Sequence, residues 1–144
     1  MSRELIIRHL GSDWARMSDY IRRALNSDVP LLNSVNDTVL SHSGKMLRPM
    51  VTLLLARACG TPGEDTFRYA AALELLHNAT LMHDDVADSS SERRGLPTVS
   101  ALLGPSGAVL VGDFWLSAAV QLVLEADSFQ YVVKLFSNSL KDLA

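Results

Sequence analysis

The sequence predicts an all-α protein of one domain, and three observations support this. Apolar residues recur at steps of three and four along most of the chain, which is the spacing of one face of a helix. No stretch alternates apolar and polar residues with period two, as a half-buried strand would. Glycine, proline and short polar clusters separate the helical patterns. The 144 residues, 48% of them hydrophobic, are enough for one domain with a core.

The first half of the chain contains three helical patterns. The first begins after Ser2, a potential N-cap, and breaks at 26–30; a shorter one runs from Leu31 to about Ser41. The third, 50–59, ends before Gly60, and we predict that its last residue, Cys59, belongs to the core. The first pattern is an amphipathic helix formed by Leu5, Ile6, Leu10, Trp14, Met17, Ile21 and Leu25.

The second half is predicted to hold a long central helix from Glu64 to the carboxylates at 84–88, followed by a polar loop at 89–97. A short turn near 99–103 precedes a helix from Pro105 to about Ala126, which is apolar nearly all round and must therefore be buried on several sides. Because a chain of 144 residues offers few partners for such a helix, we expect self-association. A last helical pattern, through Phe129, Val132, Val133, Phe136 and Leu140, reaches Ala144 without a capping residue.

Composition excludes several classes of function. A net charge of -3 gives no basic footprint for nucleic acid, and a single cysteine excludes an internal disulfide framework. Residues 1–10 lack the pattern of a secretion signal, so we expect a cytoplasmic location. The charge-free stretch 95–112 holds four glycines and two prolines, and we interpret it as helix and loop with no transmembrane segment.

Three carboxylates end the central helix. Asp84 and Asp88 are four residues apart and share a face, whereas Asp85 is turned by about 100°. Two aligned carboxylates stay ionised at low cost only beside a cation or in water. Mg²⁺ suits them, since it takes one or two carboxylates and completes its shell with water and phosphate. The alternative is a solvated helix end.

A basic segment precedes the third helical pattern. In Gly44-Lys45-Met46-Leu47-Arg48-Pro49, proline is tolerable in the first turn of a helix, so Lys45 and Arg48 lie at or just before a helix N-terminus. The helix dipole and unpaired N–H groups there already favour an anion. This indicates a phosphate site; the alternative is two solvated basic side chains.

Three more features accompany the carboxylates and the basic segment: His77, Arg93-Arg94-Gly95 and Gly112-Asp113. Taken together, these motifs resemble those of the trans-isoprenyl diphosphate synthases, or polyprenyl synthetases. The resemblance implies an antiparallel helical bundle of the isoprenoid synthase type, with residues 1–144 as the N-terminal portion of a single domain. It implies a homodimeric prenyltransferase that condenses isopentenyl diphosphate with an allylic diphosphate.

The resemblance also implies roles for single residues. Asp84 and Asp88 would hold Mg²⁺, and Asp85 would support that shell. The allylic diphosphate would be bound by Arg93. Isopentenyl diphosphate would be bound by Lys45, Arg48, His77 and Arg94. Without the resemblance, His77 would be interpreted as a core histidine, and His83 receives no role.

In this family the product grows along the helix before the aspartates, so side-chain bulk there limits its length. Ala79 and Thr80, about one turn before Asp84, are small and imply a product longer than C15. Leu76 and Leu73 would form the next floor. The alternative is that Ala79 and Thr80 only allow a neighbouring helix to pack closely.

The sequence departs from the family in lacking a second aspartate-rich motif, so we expect the chain to be inactive alone. Three other readings stay open. A non-catalytic regulatory or partner subunit is favoured by that absence. A terpene cyclase is disfavoured by the second-substrate site of Lys45, Arg48 and His77. The last is a plain structural bundle.

Overall fold

The computed structural model describes residues 2–42 and 44–143. It confirms the all-α prediction: seven helices form the described part of the chain, joined by one small hairpin. The hairpin is antiparallel, with Glu92 opposite Pro97 and Arg93 opposite Leu96. The elements are α1 (Arg3–Leu10), α2 (Ser12–Ala24), α3 (Pro30–Ser41), α4 (Leu47–Cys59), α5 (Glu64–Ala87), β1 (Glu92–Arg93), β2 (Leu96–Pro97), α6 (Val99–Leu124) and α7 (Phe129–Leu143).

The first predicted helix is in fact two helices. Ser2 caps α1 as predicted, its hydroxyl accepting a hydrogen bond from the Leu5 N–H at 3.4 Å. At Gly11, however, the backbone turns to a φ of +52°, which ends α1 and starts α2. The apolar spacing continues across this break from Leu10 to Trp14, so periodicity alone did not reveal it.

The region after α5 also differs in detail. The predicted polar loop contains β1 and β2, whose two-residue strands are too short to show an alternating pattern. The predicted turn at 99–103 is the first turn of α6, capped by the Thr98 hydroxyl, which accepts from the Ala101 N–H at 3.1 Å. A kink at Gly104, with a φ of +78°, separates it from the main part of the helix.

The central helix α5 lies against α6 and also contacts α2 and α4. Its inward face carries Phe67, Ala71, Leu75 and Leu76, all buried as predicted. A chain of hydrogen bonds crosses the core at the fully buried Trp115. Its indole Nε1 donates to Asn36 Oδ1 at 2.8 Å, and the Asn36 amide donates to the Leu25 carbonyl at 2.9 Å. These bonds hold α3 and α6 against the end of α2. Because α5 packs against both α2 and α6, it is held on several sides.

Two predictions about burial were too simple. Cys59 is exposed, because it is the last residue of α4 and the chain turns away at Gly60. Along α6, Leu102, Leu110 and Leu124 are 55%, 69% and 52% exposed. One side of this apolar helix is therefore uncovered, and self-association stays a prediction.

Within residues 2–42 and 44–143, α6 is also the one helix long and apolar enough to span a membrane, with a mean hydropathy of 1.7. This is weak evidence, because core helices pass the same test, and 44% of its most apolar window is buried.

Candidate active site

A cavity of about 370 Å³ lies between the start of α4, the middle of α5 and the hairpin. Lys45 and Arg48 reach it from the start of α4, His77 from α5, and Arg94 from the hairpin. The fold thus brings together, from three separate segments, the four residues to which the resemblance assigned isopentenyl diphosphate. We call this space the basic cavity.

The backbone around the basic cavity is shaped by left-handed residues. Gly44 has a φ of +74°, Met46 of +47° and Arg94 of +55°. The guanidinium of Arg94 lies directly against Gly44, where a methyl group would collide with it. Met46 precedes α4 and offers no side-chain acceptor to the first N–H groups of that helix. Such N–H groups and the helix dipole favour an anion.

The surroundings of His77 favour its neutral imidazole. Burial lowers the pKa of His77 below its ordinary 6.5, and the guanidinium groups of Arg48, Arg94 and Arg93 lower it further; Asp84 acts in the opposite direction. A neutral imidazole donates one hydrogen bond and accepts another, so this side chain adds hydrogen bonding to the cavity without adding charge.

Glu74 also lines the basic cavity, and sequence reasoning missed it. Its side chain is only 2% exposed. Burial raises the pKa of Glu74 above 4.5, while a hydrogen bond from Asn78 and the charges of Arg48 and Arg94 lower it. The signal in the sequence was a carboxylate three residues before His77 within an otherwise apolar helix face.

Asp84 and Asp88 lie at the exposed end of α5. The Asp88 N–H still donates to the Asp84 carbonyl, at 2.8 Å, so the last turn remains helical and keeps both residues on one side. Among the described residues, no group of three or more His, Cys, Asp or Glu side chains is arranged to hold a metal. Two exposed carboxylates nevertheless fit Mg²⁺, which needs only one or two when water and phosphate supply its other ligands.

Asp85 and Arg93 are paired with each other. The guanidinium of Arg93 donates to Asp85 Oδ1 from Nε at 2.9 Å and from Nη2 at 2.7 Å. This hydrogen bond raises the pKa of Arg93. The carboxylate side chain is 8% exposed and the arginine side chain 39%. The pair therefore fastens the hairpin to α5 and leaves part of the guanidinium accessible to a ligand.

A second cavity, of about 440 Å³, lies between α3, α5, β2 and the start of α6. From α5 it is lined by Asn78, Leu81, Met82 and Asp85, a face turned by about 100° from that of Asp84. The predicted chain-length residues do not line this cavity. Ala79 is fully buried, Leu76 is 5% exposed, Thr80 is half-buried and Leu73 is 38% exposed.

One strip of α5 is uncovered, although the helix is otherwise mostly buried. It carries Leu73, His77, Thr80, Asp84 and Asp88, which follow one another at steps of three and four. A parallel apolar strip is exposed on the neighbouring α4, formed by Leu47, Val51 and Leu55 at 55%, 52% and 61% exposure. Five predicted site residues thus share an open face on α5: His77, Asp84 and Asp88, with the chain-length residues Leu73 and Thr80.

The structure gives His83 a position that the sequence did not. Its ring lies directly over Gly112 of α6, where a Cβ atom would be 2.5 Å from Nε2. Nε2 also lies 3.2 Å from Asp113 Oδ1, within ion-pair distance although not aligned for a hydrogen bond. Gly112 and Asp113 therefore support α5 next to Asp84.

Comparison with known proteins identifies the family of this chain and several of its relatives. The family described as Polyprenyl synthetase matches residues 29–144. The chain belongs to this family. It is 39% identical over all of its 144 residues to an octaprenyl diphosphate synthase of Escherichia coli, of which it covers 44%. It is 40% identical over 140 residues, 96% of its length, to an all-trans-nonaprenyl-diphosphate synthase (geranyl-diphosphate specific) of Rhodobacter capsulatus, of which it covers 43%.

Solved structures of the family have the same fold. A decaprenyl diphosphate synthase from Rhodobacter capsulatus matches 95% of the chain with a TM-score of 0.88 and 35% identity. A polyprenyl synthase from Caulobacter crescentus, complexed with calcium and isoprenyl diphosphate, matches 94% with a TM-score of 0.85 and 34% identity. Each is covered over 42% of its own length, so the chain spans less than half of these relatives.

Proposed function

We propose that this polyprenyl synthetase acts in the condensation of isopentenyl diphosphate with an allylic diphosphate, giving a polyprenyl diphosphate longer than C15. The observation that carries the proposal is the meeting of Lys45, Arg48, His77 and Arg94 in one cavity, about two helical turns along α5 from the exposed pair Asp84 and Asp88. The octaprenyl and nonaprenyl relatives support the long product.

In this proposal the two diphosphates are bound by different groups. Lys45, Arg48 and Arg94 neutralise that of isopentenyl diphosphate, because guanidinium groups bind phosphate oxygens in pairs. His77 adds a hydrogen bond there. Arg93, positioned by Asp85, contacts the allylic diphosphate.

Asp84 and Asp88 would hold Mg²⁺, which when bound supplies positive charge that stabilises the leaving diphosphate. The double bond of isopentenyl diphosphate then attacks the allylic carbon, and a proton is lost. The apolar side chains along the uncovered strips of α4 and α5 would keep water from the reacting carbons.

The proposal is tested by equilibrium binding of isopentenyl diphosphate to the 144-residue chain without divalent metal. Arg48→Ala is expected to weaken binding by about tenfold or more, since a hydrogen bond to a charged group contributes about 1.5–3 kcal/mol. Arg23→Ala is the matched control, because the Arg23 side chain is exposed and, among the described residues, pairs with Asp19 one turn earlier in α2. No binding by the unsubstituted chain would contradict the proposal.

We further propose that residues 1–144, as part of a single polyprenyl synthase domain, do not catalyse condensation alone. The open face around Asp84 and Asp88 supports this, since no group of three or more His, Cys, Asp or Glu side chains in the described chain is arranged to hold a metal. Incorporation of labelled isopentenyl diphosphate by the chain alone would contradict it. The same open face suits a homodimer or a partner subunit; the cationic cavity disfavours a purely regulatory role. We also propose a cytoplasmic location, because residues 1–10 lack the pattern of a secretion signal.

Product length is expected to depend on Thr80. This residue is half-buried on the open strip of α5, and its hydroxyl donates to the His77 carbonyl at 2.8 Å. In an active synthase, Thr80→Phe should shorten the product, because a ring there would project into the space along the helix. Ala79→Phe is a poorer test, since Ala79 is fully buried and overpacking costs about 1–3 kcal/mol. Unchanged product length in Thr80→Phe, measured by chromatography of the products, would refute the role.

A further inference from the structure

The carboxyl group of Glu74 is the one acidic group in the wall of the basic cavity, among the residues that the structure describes there. Its Oε1 accepts a hydrogen bond from the Asn78 amide at 3.2 Å. Its Oε2 is buried and has no hydrogen-bond partner among the residues that the structure describes. Because leaving a buried carboxylate oxygen unpaired is costly, this group needs an explanation in terms of what the cavity binds.

Every charged or titratable side chain that lines the cavity with Glu74 is basic. Arg48 faces it from α4 and Arg94 from the hairpin, Lys45 lies in the loop before α4, and His77 is one turn along α5. Of these, Arg48 and Arg94 act on Glu74 directly by attraction, whereas burial opposes its ionisation. Burial is the larger effect, so the pKa of Glu74 is raised overall, and a further negative charge in the cavity would raise it more.

We propose that Glu74 takes up a proton from solvent when a diphosphate anion enters the basic cavity, so that the ligand replaces the internal counter-ion of Arg48 and Arg94. This inference rests on the function proposed above, and it adds a proton to the binding step. One O–H bond forms on the Glu74 carboxyl, and one bond to hydrogen breaks in the hydronium ion or buffer acid that gives up the proton.

The physical reason is competition for the same cations. A diphosphate bound by Arg48 and Arg94 weakens the attraction that lowers the pKa of Glu74 and adds negative charge to the same small space. Two anions in a poorly solvated cavity cannot both stay ionised cheaply. Once protonated, the carboxyl group becomes a hydrogen-bond donor and can bond to the anion that it would otherwise repel.

The sign of the pH dependence follows directly. The occupied protein binds more protons than the empty one, so affinity for diphosphate should rise as the pH falls. In Glu74→Gln this contribution disappears, while the side-chain oxygen can still accept the Asn78 hydrogen bond. As the pH falls, the affinity of the unsubstituted chain should rise relative to that of Glu74→Gln. The whole rise should be about tenfold for each unit by which the pKa of Glu74 increases on binding.

The test is calorimetric titration with inorganic diphosphate, without divalent metal, in buffers of different ionisation enthalpy, which gives the number of protons taken up. The unsubstituted chain is expected to take up more protons than Glu74→Gln, by up to about one. Protonation of the ligand itself is common to both and cancels in the difference. His77→Gln removes the other group able to titrate here, and exposed Glu125→Gln is the matched carboxylate control.

Both control variants should keep the extra uptake. Equal proton uptake by the unsubstituted chain and Glu74→Gln would overturn the inference. Proton uptake that is lost in His77→Gln but kept in Glu74→Gln would overturn it too, because the proton would then be bound by His77. Glu74→Met, of similar size but without polar atoms, gives a second measurement should the glutamine variant fold poorly. Failure of the unsubstituted chain to bind diphosphate at all would overturn the proposed function as well, so the two failures are distinguishable.

Discussion

Replacement of Gly44 by alanine is expected to weaken binding of isopentenyl diphosphate by about tenfold. A methyl group there would collide with Nη1 of Arg94 and lie 2.8 Å from its Cζ, so the guanidinium would have to shift from its position in the wall of the basic cavity. A hydrogen bond from a charged group contributes about 1.5–3 kcal/mol, and about 1.4 kcal/mol already corresponds to tenfold. Titration of the variant with isopentenyl diphosphate measures the loss.

The chain offers a matched control for this substitution at Gly104. Gly44 and Gly104 both have positive φ values, +74° and +78°, so alanine strains the backbone at either position. At Gly104 the ψ of 165° places the residue in a conformation that is essentially restricted to glycine, but no described atom lies within 4 Å of the new methyl group. Gly104→Ala should therefore lose stability and keep its affinity. Equal affinity in both variants would show that Gly44 does not place Arg94.

Local signals predicted the helices well where they were strong. Pro30 starts α3 and Gly60 ends α4, because proline fits the first turn and glycine tolerates the conformations that end a helix. The break at Gly11 was missed because the apolar spacing runs through it. The hairpin was missed because its two-residue strands have no measurable period.

The basic cavity could not be predicted from local pattern alone. Its residues come from segments far apart in the chain, and only resemblance to a family linked Lys45 and Arg48 with Arg94. Helix geometry did separate Asp85 from Asp84 and Asp88, and the structure has Asp85 buried and the other two exposed. Glu74 was missed because a lone carboxylate in a helical pattern is usually solvated, and only tertiary packing shows that this one is not.

A second large effect is expected for Arg93→Ala, which should reduce the free energy of unfolding by about 1–3 kcal/mol. The substitution leaves the Asp85 carboxylate buried without the guanidinium that donates to it at 2.7 and 2.9 Å. Breaking a fully buried pair costs about 3–5 kcal/mol, but the Arg93 side chain is 39% exposed, and the smaller figure allows for solvent screening. Urea denaturation measures the change.

Two further variants separate the pair from the arginine alone. Asp85→Ala combined with Arg93→Ala removes both charges, so it should recover part of the stability lost in Arg93→Ala. Arg94→Ala, one residue along the hairpin, should change stability less and lose affinity for isopentenyl diphosphate, because Arg94 faces the basic cavity and makes no comparable pair with Asp85 in the described structure. If Arg93→Ala unfolds at the same urea concentration as the unsubstituted chain, the Asp85–Arg93 pair does not hold the hairpin to α5. Arg93 would then have to be positioned by its ligand alone.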